Sequence, residues 1–198
     1  MQYPVRRTLR PEDARRSNLA LVLQTVKTTP RLSRADLARE TGLTKVTIGD
    51  LVAELIAADL VRETGTSDTS RPGKPSTLLE LNDGGRDVLA MDLSARDRLR
   101  GAVVSLAGEP LVRLTRPLDG AVGDPALDAV RALATELVAA ATNPILGLGV
   151  GTPGTVDRLG TVLSAPNLHW SDVPLRELLL ADLDLPVLVE NDANAAVL

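Results

Sequence analysis

Four residues at the start of one short helical segment have types and spacing that suit the recognition of DNA bases. Lys45 can pair with guanine or with a phosphate, and Thr47 can contact a thymine methyl group or a phosphate. Asp50 repels phosphates unless it accepts a hydrogen bond from a cytosine amino group. Gly49 weakens a helix by about 1 kcal/mol relative to alanine. We interpret this segment as the exposed face of a helix that lies in a DNA groove.

Two short helices joined by a tight turn must position these residues. Ser33 and Asp36 form a weaker version of the capping box, so the first helix is predicted to start at Ser33. Gly42 leaves a helix in the left-handed conformation at the least cost, and Thr44 then caps the second helix. Apolar residues every three or four positions predict the buried face of that helix: Ile48, Leu51, Val52, Leu55 and Ile56.

A further helix and a β-hairpin complete this predicted unit. Residues 18–28 carry apolar side chains at helical spacing, and residues 62–64 and 77–81 are predicted to be short strands. The turn-rich segment between the strands carries Arg71 and Lys74, which can contact the DNA backbone or the minor groove. The order helix, helix, helix, strand, basic turn, strand predicts a winged helix-turn-helix.

The predicted DNA contacts combine the two helix starts, the exposed face of the second helix and the basic turn. They are Ser33, Arg34, Thr44, Lys45, Thr47, Gly49, Asp50, Arg71 and Lys74. The alternatives are a generic helical hairpin and, for the basic turn, a plain linker. A homodimer on a roughly palindromic duplex is expected, because one head makes too few contacts for high specificity.

Composition excludes several other classes of protein. The chain of 198 residues has no Cys and no Phe, one Tyr and one Trp. The scarcity of aromatic side chains argues against a single-strand binder that stacks bases. One His without Cys makes no zinc site, so we expect no metal and no disulfide. Apolar runs long enough to span a membrane are missing, and we expect a cytoplasmic protein without a bound cofactor.

Charge is divided unevenly along the chain. Residues 1–75 carry 13 Lys and Arg against 9 Asp and Glu, a net charge of +4, whereas residues 76–198 carry 9 against 17, a net charge of −8. A basic N-terminal part and an acidic C-terminal part suit a DNA-binding head on a body that does not touch DNA.

The second part of the chain is predicted to be an α/β lobe. We divide the chain into a flexible arm (1–13), a winged helix-turn-helix domain (14–82) and a lobe (86–198), an α+β protein. The segments of the lobe are strands at 87–92, 99–106, 110–116, 145–150 and 186–189 and helices at 124–141 and 173–181. Three antiparallel strands followed by alternating helix and strand indicate the ribonuclease H-like fold of actin-type sugar kinases. Gly149, Gly151 and Gly154 match a dinucleotide fingerprint formally, but Pro153 and the predicted hairpin after it exclude the helix that this motif must open.

Both parts of the chain carry recognisable motifs: LSRADLARETGLTKVTI and RPGKPSTLLELN in the head, and LGLGVGTPGTVD, LSAPNLHW and PVLVENDANAA in the lobe. With these motifs the sequence resembles the transcriptional regulators of the ROK family (repressors, open reading frames, kinases). The helix pair alone is weakly diagnostic, whereas G-x-P-G, APNLxW and ENDAN in that order are highly specific. Nearly the whole chain takes part in the resemblance, from Asn18 to Leu198.

The resemblance implies a sugar site in the lobe. In kinases of the family the Asp of the N-D-A-N motif, here Asp192, is the general base that takes a proton from a sugar hydroxyl. The neighbouring Asn191, and Asn167 of the APNL motif, hold sugar hydroxyls. These roles suit the residue types, because a carboxylate can accept a proton and amides pair with hydroxyl groups. The alternative interpretation of ENDAN is a polar helix cap after a strand.

The sequence departs from the kinases where they bind ATP. Those enzymes hold the phosphates through D-x-G-G-T-K, but here Ser94 and Ala95 replace both glycines and Asp97 replaces the lysine. The backbone then cannot approach a phosphate closely, and the charge of Asp97 repels one. Asp192 is therefore predicted to be a vestigial base position, and the protein is not expected to be an enzyme. The family's second lobe would follow Leu198.

Three functions remain open on these observations. The first is a DNA-binding regulator of carbohydrate-metabolism genes, a repressor whose kinase-like body senses a sugar. The second is a sugar kinase that carries a DNA-binding head. The third is a truncated regulator that binds DNA without responding to an effector.

Overall fold

The computed structural model describes residues 11–66 and 76–195, and the chain divides into two units, Met1–Asp83 and Gly84–Leu198. The division falls within the turn at residues 82–85 that the sequence indicates as the domain boundary. Each unit has its own buried apolar core. Within the described ranges, no helix is both long enough and apolar enough to span a bilayer.

The N-terminal unit combines helices with a small antiparallel sheet. Its elements are α1 (Pro11–Thr28), β1 (Leu32–Ser33), α2 (Arg34–Thr41), α3 (Lys45–Ala57), β2 (Val61–Thr66) and β3 (Thr77–Leu81). In the described part of this unit the strand order is β1–β3–β2, and neighbouring strands are antiparallel. The predicted helices and the two hairpin strands are therefore present. The sequence analysis missed β1, because Leu32 and Ser33 form a strand only by pairing with β3.

Helix α1 begins earlier than predicted, and this corrects part of the proposed flexible arm. The apolar pattern starts near Asn18, but the helix begins at Pro11 and includes Glu12 and Asp13 in its first turn. Acidic side chains there interact favourably with the positive end of the helix dipole, so the polar segment extends the helix without contributing to the core. Residues 1–10 of the predicted arm lie outside the described residues.

The core of the N-terminal unit joins the three helices to the hairpin. Ile48, Leu51, Val52 and Leu55 of α3 are buried as the spacing predicts, whereas Ile56 is only half-buried. Their neighbours in this core come from α1, α2 and the strands: Val22, Val26, Leu37, Leu60, Val61, Leu78 and Leu79. Because α3 uses one face for this packing, its opposite face remains available to solvent.

The C-terminal unit is built on a mixed sheet. Its elements are β4 (Asp87–Asp92), β5 (Arg98–Ser105), β6 (Pro110–Pro117), α4 (Asp124–Ala140), β7 (Ile145–Thr152), β8 (Thr155–Val156), β9 (Val162–Ala165), the 3-10 turn Pro166–Leu168, β10 (Trp170–Val173), α5 (Leu175–Leu183), β11 (Val187–Asn191) and α6 (Asp192–Ala195). The main sheet of the described residues has the order β11–β7–β4–β5–β6, with β4, β5 and β6 antiparallel and β7 parallel to both of its neighbours. Three antiparallel strands followed by parallel strands agree with the predicted ribonuclease H-like fold.

One face of this sheet is covered by helices and the other carries the candidate site. Side chains of α4 pack on β5 closely enough that a Cβ on Gly101 would meet Leu137 and Leu133. On the opposite face β4, β7 and β11 present Ala90, Gly149 and Glu190 together with the exposed Leu188. Strand β8 follows Gly154 directly and pairs with β9, so the helix required by a dinucleotide fingerprint is absent there, as predicted.

Asp87 ties the start of β4 to the loop after α4, and we expect it to make the C-terminal unit sensitive to acid. Its carboxylate is buried and accepts hydrogen bonds from the backbone N–H groups of Thr142 and Asn143 at 2.9 and 3.0 Å and from the Asn143 side chain at 3.0 Å. Burial, the largest influence, raises the pKa of Asp87, but the bonds from Asn143 and Thr142 outweigh it and leave the pKa below its ordinary value.

A lowered pKa in the folded state means that stability is present above the pKa of the unfolded chain and is lost as the pH falls through the folded pKa. The free energy of unfolding should therefore decrease as the pH falls below about 4. The variant Asp87→Asn should have a free energy of unfolding about 1–3 kcal/mol lower at pH 7. Its side-chain NH2 group would face the N–H groups that now donate to the carboxylate. The difference in the free energy of unfolding between Asp87→Asn and the unmodified chain should be smaller at pH 3, measured by urea unfolding with Trp170 fluorescence. A gap that stays constant from pH 7 to pH 3 contradicts this prediction.

Candidate functional site

The corner between α2 and α3 is fixed by caps that the sequence encodes locally. The Ser33 hydroxyl accepts a hydrogen bond from the Asp36 N–H at 3.2 Å, and the Asp36 carboxylate accepts one from the Ser33 N–H at 3.0 Å. Gly42 ends α2 with φ +71°, and the Thr44 hydroxyl accepts a hydrogen bond from the Thr47 N–H at 3.2 Å. These bonds satisfy backbone groups that the helix ends leave unpaired, so they set the direction in which α3 leaves the turn.

The position of Ser33 corrects its predicted role as a DNA contact. Its side chain is buried, and its hydroxyl also donates to the Asp36 carboxylate at 2.6 Å. That hydrogen bond is the main cause that lowers the pKa of Asp36. Since the hydroxyl is used within the capping box, Ser33 stabilises α2 and does not face a duplex.

The capping box can be tested by removing the hydroxyl. Ser33→Ala should lower the stability of the N-terminal unit by about 1 kcal/mol, since it removes one cap bond and leaves the Asp36 N–H without its partner. Hydrogen exchange of the α2 amides measures the change, and Ser76→Ala, at an exposed serine before β3, is the matched control. Equal exchange rates in the two variants would show that the cap contributes nothing measurable.

The solvent-exposed face of α3 differs in part from the predicted face. Lys45 and Asp50 are exposed as predicted, whereas Thr47 and Gly49 are half-buried. Val46, which the sequence analysis did not select, is 75% exposed and lies on this face. A signal for it existed in the sequence, because Val46 falls outside the apolar positions 48, 51, 52 and 55 that form the buried stripe.

Several of the other predicted DNA contacts have partners within the protein. The hydroxyl groups of Thr44 and Thr47 lie 2.9 Å apart and share a hydrogen bond. Arg34, at the start of α2, pairs with Glu63 of β2 at 2.8 Å, and both side chains are partly exposed. An exposed ion pair of this kind is weak, so Arg34 can exchange its partner for a phosphate. Arg71 and Lys74 lie outside the described residues, between the antiparallel strands β2 and β3.

The second candidate surface is a cleft of about 750 Å³ in the C-terminal unit. It lies at the carboxyl ends of β4, β7 and β11 and is lined by Ala90, Met91, Asp92, Ser94, Gly149, Val150, Gly151, Leu188, Glu190, Asp192, Ala193 and Ala195. Its charged side chains within the described residues are all carboxylates. Gly151 pairs with Asp92 of β4 on one side and with Glu190 of β11 on the other, so two carboxylates flank a position of β7 that has no side chain.

Asp92 ends β4 at the rim of this cleft. One of its oxygens accepts a hydrogen bond from the Ser94 N–H at 2.9 Å, and the other lies 3.4 Å from the Arg100 guanidinium. Burial, the largest influence, raises the pKa of Asp92, but bonds from Ser94 and the charge of Arg100 lower it below the ordinary value. Ser94 lines the cleft where the kinases of the predicted family have a glycine, and Asp97 pairs with Arg98 outside it.

The ENDAN segment begins α6 and is joined to the Gly154 loop. The Asn191 side chain donates to the Gly154 carbonyl oxygen at 2.7 Å and to Asp192 at 3.1 Å, and its oxygen accepts from the N–H groups of Ala193 and Asn194 at 3.0 and 3.2 Å. These are the bonds of a helix cap, the alternative role considered for this motif. Asp192 lines the cleft, and its Oδ1 accepts a hydrogen bond from the Ala193 N–H at 2.8 Å.

The predicted sugar-binding residues are only partly brought together. Asn167 lies on the 3-10 turn after β9 and is half-buried, and it is not among the residues that line the 750 Å³ cleft. The next residues are held by Trp170, whose indole N–H donates to the Gly123 carbonyl oxygen at 3.0 Å. In the described part of the chain, no group of three or more His, Cys, Asp or Glu side chains could hold a metal ion.

The strand order and the cleft at the ends of β4, β7 and β11 define a lobe of the ribonuclease H-like, sugar-kinase type. The ROK family matches residues 91–198, more than half of the chain, and the chain belongs to this family. A crystal structure of a ROK family transcriptional regulator, a homologue of the E. coli MLC protein, has a TM-score of 0.79 and 27% identity, covering 93% of this chain and 47% of that chain. The resemblance predicted from the sequence motifs is confirmed.

Two named relatives match different lengths of the chain. The xylose repressor of Caldicellulosiruptor bescii is 31% identical over 188 residues, which are 91% of this chain and 46% of the repressor. The glucokinase of Streptomyces coelicolor is 51% identical over 53 residues, which are 26% of this chain and 17% of the enzyme. The chain therefore spans about half the length of the curated repressors it matches, and the kinase similarity is confined to a shorter segment.

Proposed function

We propose that the chain is a DNA-binding transcriptional regulator, a repressor of carbohydrate-metabolism genes whose lobe senses a sugar. The observation that carries the proposal is a capped helix pair whose second helix has one face exposed to solvent, in one chain with a sugar-kinase-like lobe. The similarity to a xylose repressor over 91% of the chain supports it, because that similarity includes both units.

The proposed DNA-binding unit is a winged helix-turn-helix. Helix α3 enters the major groove, with α2 across its start and the β2–β3 hairpin as the wing. The groove-facing contacts come from Thr44, Lys45, Thr47, Gly49 and Asp50. Arg34 reaches a phosphate after leaving Glu63, and Arg71 and Lys74, from the segment between β2 and β3, contact the backbone or minor groove. A homodimer would place two copies of α3 on the two halves of a palindromic operator.

The proposed effector is a neutral sugar bound in the acidic cleft. Asp92, Glu190 and Asp192 can accept hydrogen bonds from hydroxyl groups, and their charges disfavour anionic ligands. Asp192 accepts a hydrogen bond from a sugar hydroxyl, and Asn191 orients Asp192 through the α6 cap. Asn167, on the 3-10 turn after β9, is the third sugar contact that the family implies, and it lies outside the lining of the cleft. The relative's name makes xylose the first sugar to test. The sugar would act by favouring one arrangement of two heads over another.

The same cleft is poorly suited to phosphoryl transfer, which supports a regulator over an enzyme. Side chains at Ser94 and Ala95 keep the backbone after β4 away from a phosphate, and the lysine of the kinases is replaced by Asp97. We therefore propose that the chain does not bind ATP phosphates productively, although Asp192 occupies the position of the family's catalytic base.

A selection from random duplexes tests the proposal. The full chain should enrich a palindromic sequence and bind it about 1,000-fold more tightly than unselected DNA in a gel shift. Titration calorimetry should detect binding of xylose or another neutral sugar, and not of its phosphate ester. Equal affinity for every duplex would refute the proposal of a sequence-specific regulator. Selective DNA binding without heat from any sugar would favour the third hypothesis, a regulator with no effector response.

A sugar kinase with a DNA-binding head is the second candidate, and the glucokinase similarity favours it locally. Kinase activity predicts sugar-dependent ADP release in a coupled assay with a panel of hexoses and pentoses. Turnover that disappears in Asp192→Asn would overturn the proposed regulator, because that carboxylate is the only base position the family implies. We expect no turnover above the rate without protein.

A further inference from the structure

Neither the packing nor the backbone of the described residues requires a glycine at position 49. Apart from the chain neighbours of Gly49 and the backbone of α3 itself, no heavy atom of the described residues lies within 4 Å of the position that a Cβ would occupy, so packing there does not exclude a side chain. Its φ is not positive, so the backbone does not require glycine either. A glycine inside a helix is nevertheless unfavourable relative to alanine. The missing side chain therefore points to something outside the protein that approaches α3 closely.

The residue one turn before Gly49 supports this reading. Val46 is the most exposed of the large apolar side chains among the described residues, at 75%. Residues three apart on a helix share a face, so Val46 and Gly49 form one surface next to the α3 cap. A single valine offers far too little apolar area for a protein–protein interface, which needs about 800 Å² from each partner. It matches a smaller apolar target, and the thymine methyl group is the apolar group of the major groove.

On the basis of the DNA-binding function proposed above, we propose that Val46 and Gly49 set the operator specificity of α3. Gly49 is the point of closest approach, where the bare backbone of α3 lies against the base edges. Val46 then contacts the methyl group of a thymine. Operators of this chain should accordingly contain a thymine at a fixed position in each half-site, and loss of its methyl group should weaken binding.

The first test adds a methyl group at Gly49 in the full chain. Gly49→Ala should slow hydrogen exchange of the α3 amides about fivefold, because alanine favours the helix, and should weaken binding to the selected duplex about tenfold. The matched control is Gly84→Ala, which adds the same group at another open glycine without positive φ. The control should leave the affinity unchanged. An unchanged affinity in Gly49→Ala overturns the close approach.

The second test removes the methyl group from each partner in turn. The selected duplex is synthesised with deoxyuridine in place of the specified thymine, and the protein carries Val46→Ala. Each change alone should weaken binding about fourfold, the effect of one lost apolar contact, and both together should weaken it no further. Alanine favours a helix more than valine, so unfolding would not cause the loss. Two independent, multiplying losses would overturn the contact.

These results separate this inference from the function on which it rests. If the chain selects no duplex, the proposed DNA-binding function fails. If it selects a duplex that the Gly49→Ala and Val46→Ala variants bind as tightly as the unmodified chain, the regulator stands and this assignment of specificity fails.

Discussion

Replacing Gly154 with alanine is expected to lower the free energy of unfolding of the C-terminal unit by about 3 kcal/mol. Gly154 has φ +92°, a conformation that other residues rarely adopt, and an added Cβ would overlap the Ser164 carbonyl oxygen. The Gly154 carbonyl oxygen also accepts the 2.7 Å hydrogen bond from Asn191. Moving the loop would therefore release the start of α6 as well as strain the backbone.

Urea unfolding followed by tryptophan fluorescence measures this change. The chain has a single tryptophan, Trp170, buried in the C-terminal unit, so the signal does not report the N-terminal unit. Gly149→Ala is the matched control, since the nearest atom to its added Cβ would be 3.9 Å away. The control should keep its stability or gain about 0.5–1 kcal/mol. A Gly154→Ala protein as stable as the control would refute this account of the loop.

The second large effect is expected at Lys45, on the proposed DNA-binding surface. Lys45→Ala should weaken binding to the selected duplex by about 10- to 100-fold, because a direct contact to a base contributes about 1–3 kcal/mol. Lys45 is exposed in the first turn of α3, so its removal should leave the stability of the unit unchanged. Gel-shift titrations at several salt concentrations measure the affinity and its salt dependence.

The salt dependence distinguishes the two roles that the sequence leaves open for Lys45. Loss of a guanine contact should relax specificity at one base pair, whereas loss of a phosphate contact should weaken all duplexes and reduce the salt slope by about 1. Lys27→Ala, at an exposed lysine in the last turn of α1, is the control and should bind as the unmodified chain does. Equal affinities for the two variants would remove Lys45 from the interface.

Short-range patterns predicted much of the fold. The caps at Ser33 and Thr44, the left-handed Gly42 and the apolar stripe of α3 depend on residues within four positions of each other, and the structure contains all of them. The five strands of the main sheet in the lobe also follow from contiguous apolar segments. The fold of the lobe was inferred from the order of its elements, since connections between strands admit few arrangements.

Pairings between distant residues were harder to predict. Strands β1 and β10 show no alternation of apolar and polar residues in the sequence. They form because Leu32 pairs with Leu79 of β3 and Trp170 pairs with Ala165 of β9. The role of Asn191 depends on Gly154, a residue 37 positions away. The ENDAN motif indicated a segment that lines the cleft, but residue type alone did not show whether Asn191 binds a ligand or caps a helix.

The sequence by itself determined that this chain has a capped helix pair, a basic head, an acidic lobe and the motifs of the ROK family. Only the tertiary structure decided which side chains are free to act. It buried Ser33 in its cap, exposed Val46, left open space at Gly49, and gathered Asp92, Glu190 and Asp192 around one cleft. The reason is that caps and stripes are local properties of the backbone, whereas exposure and proximity depend on how separate elements pack.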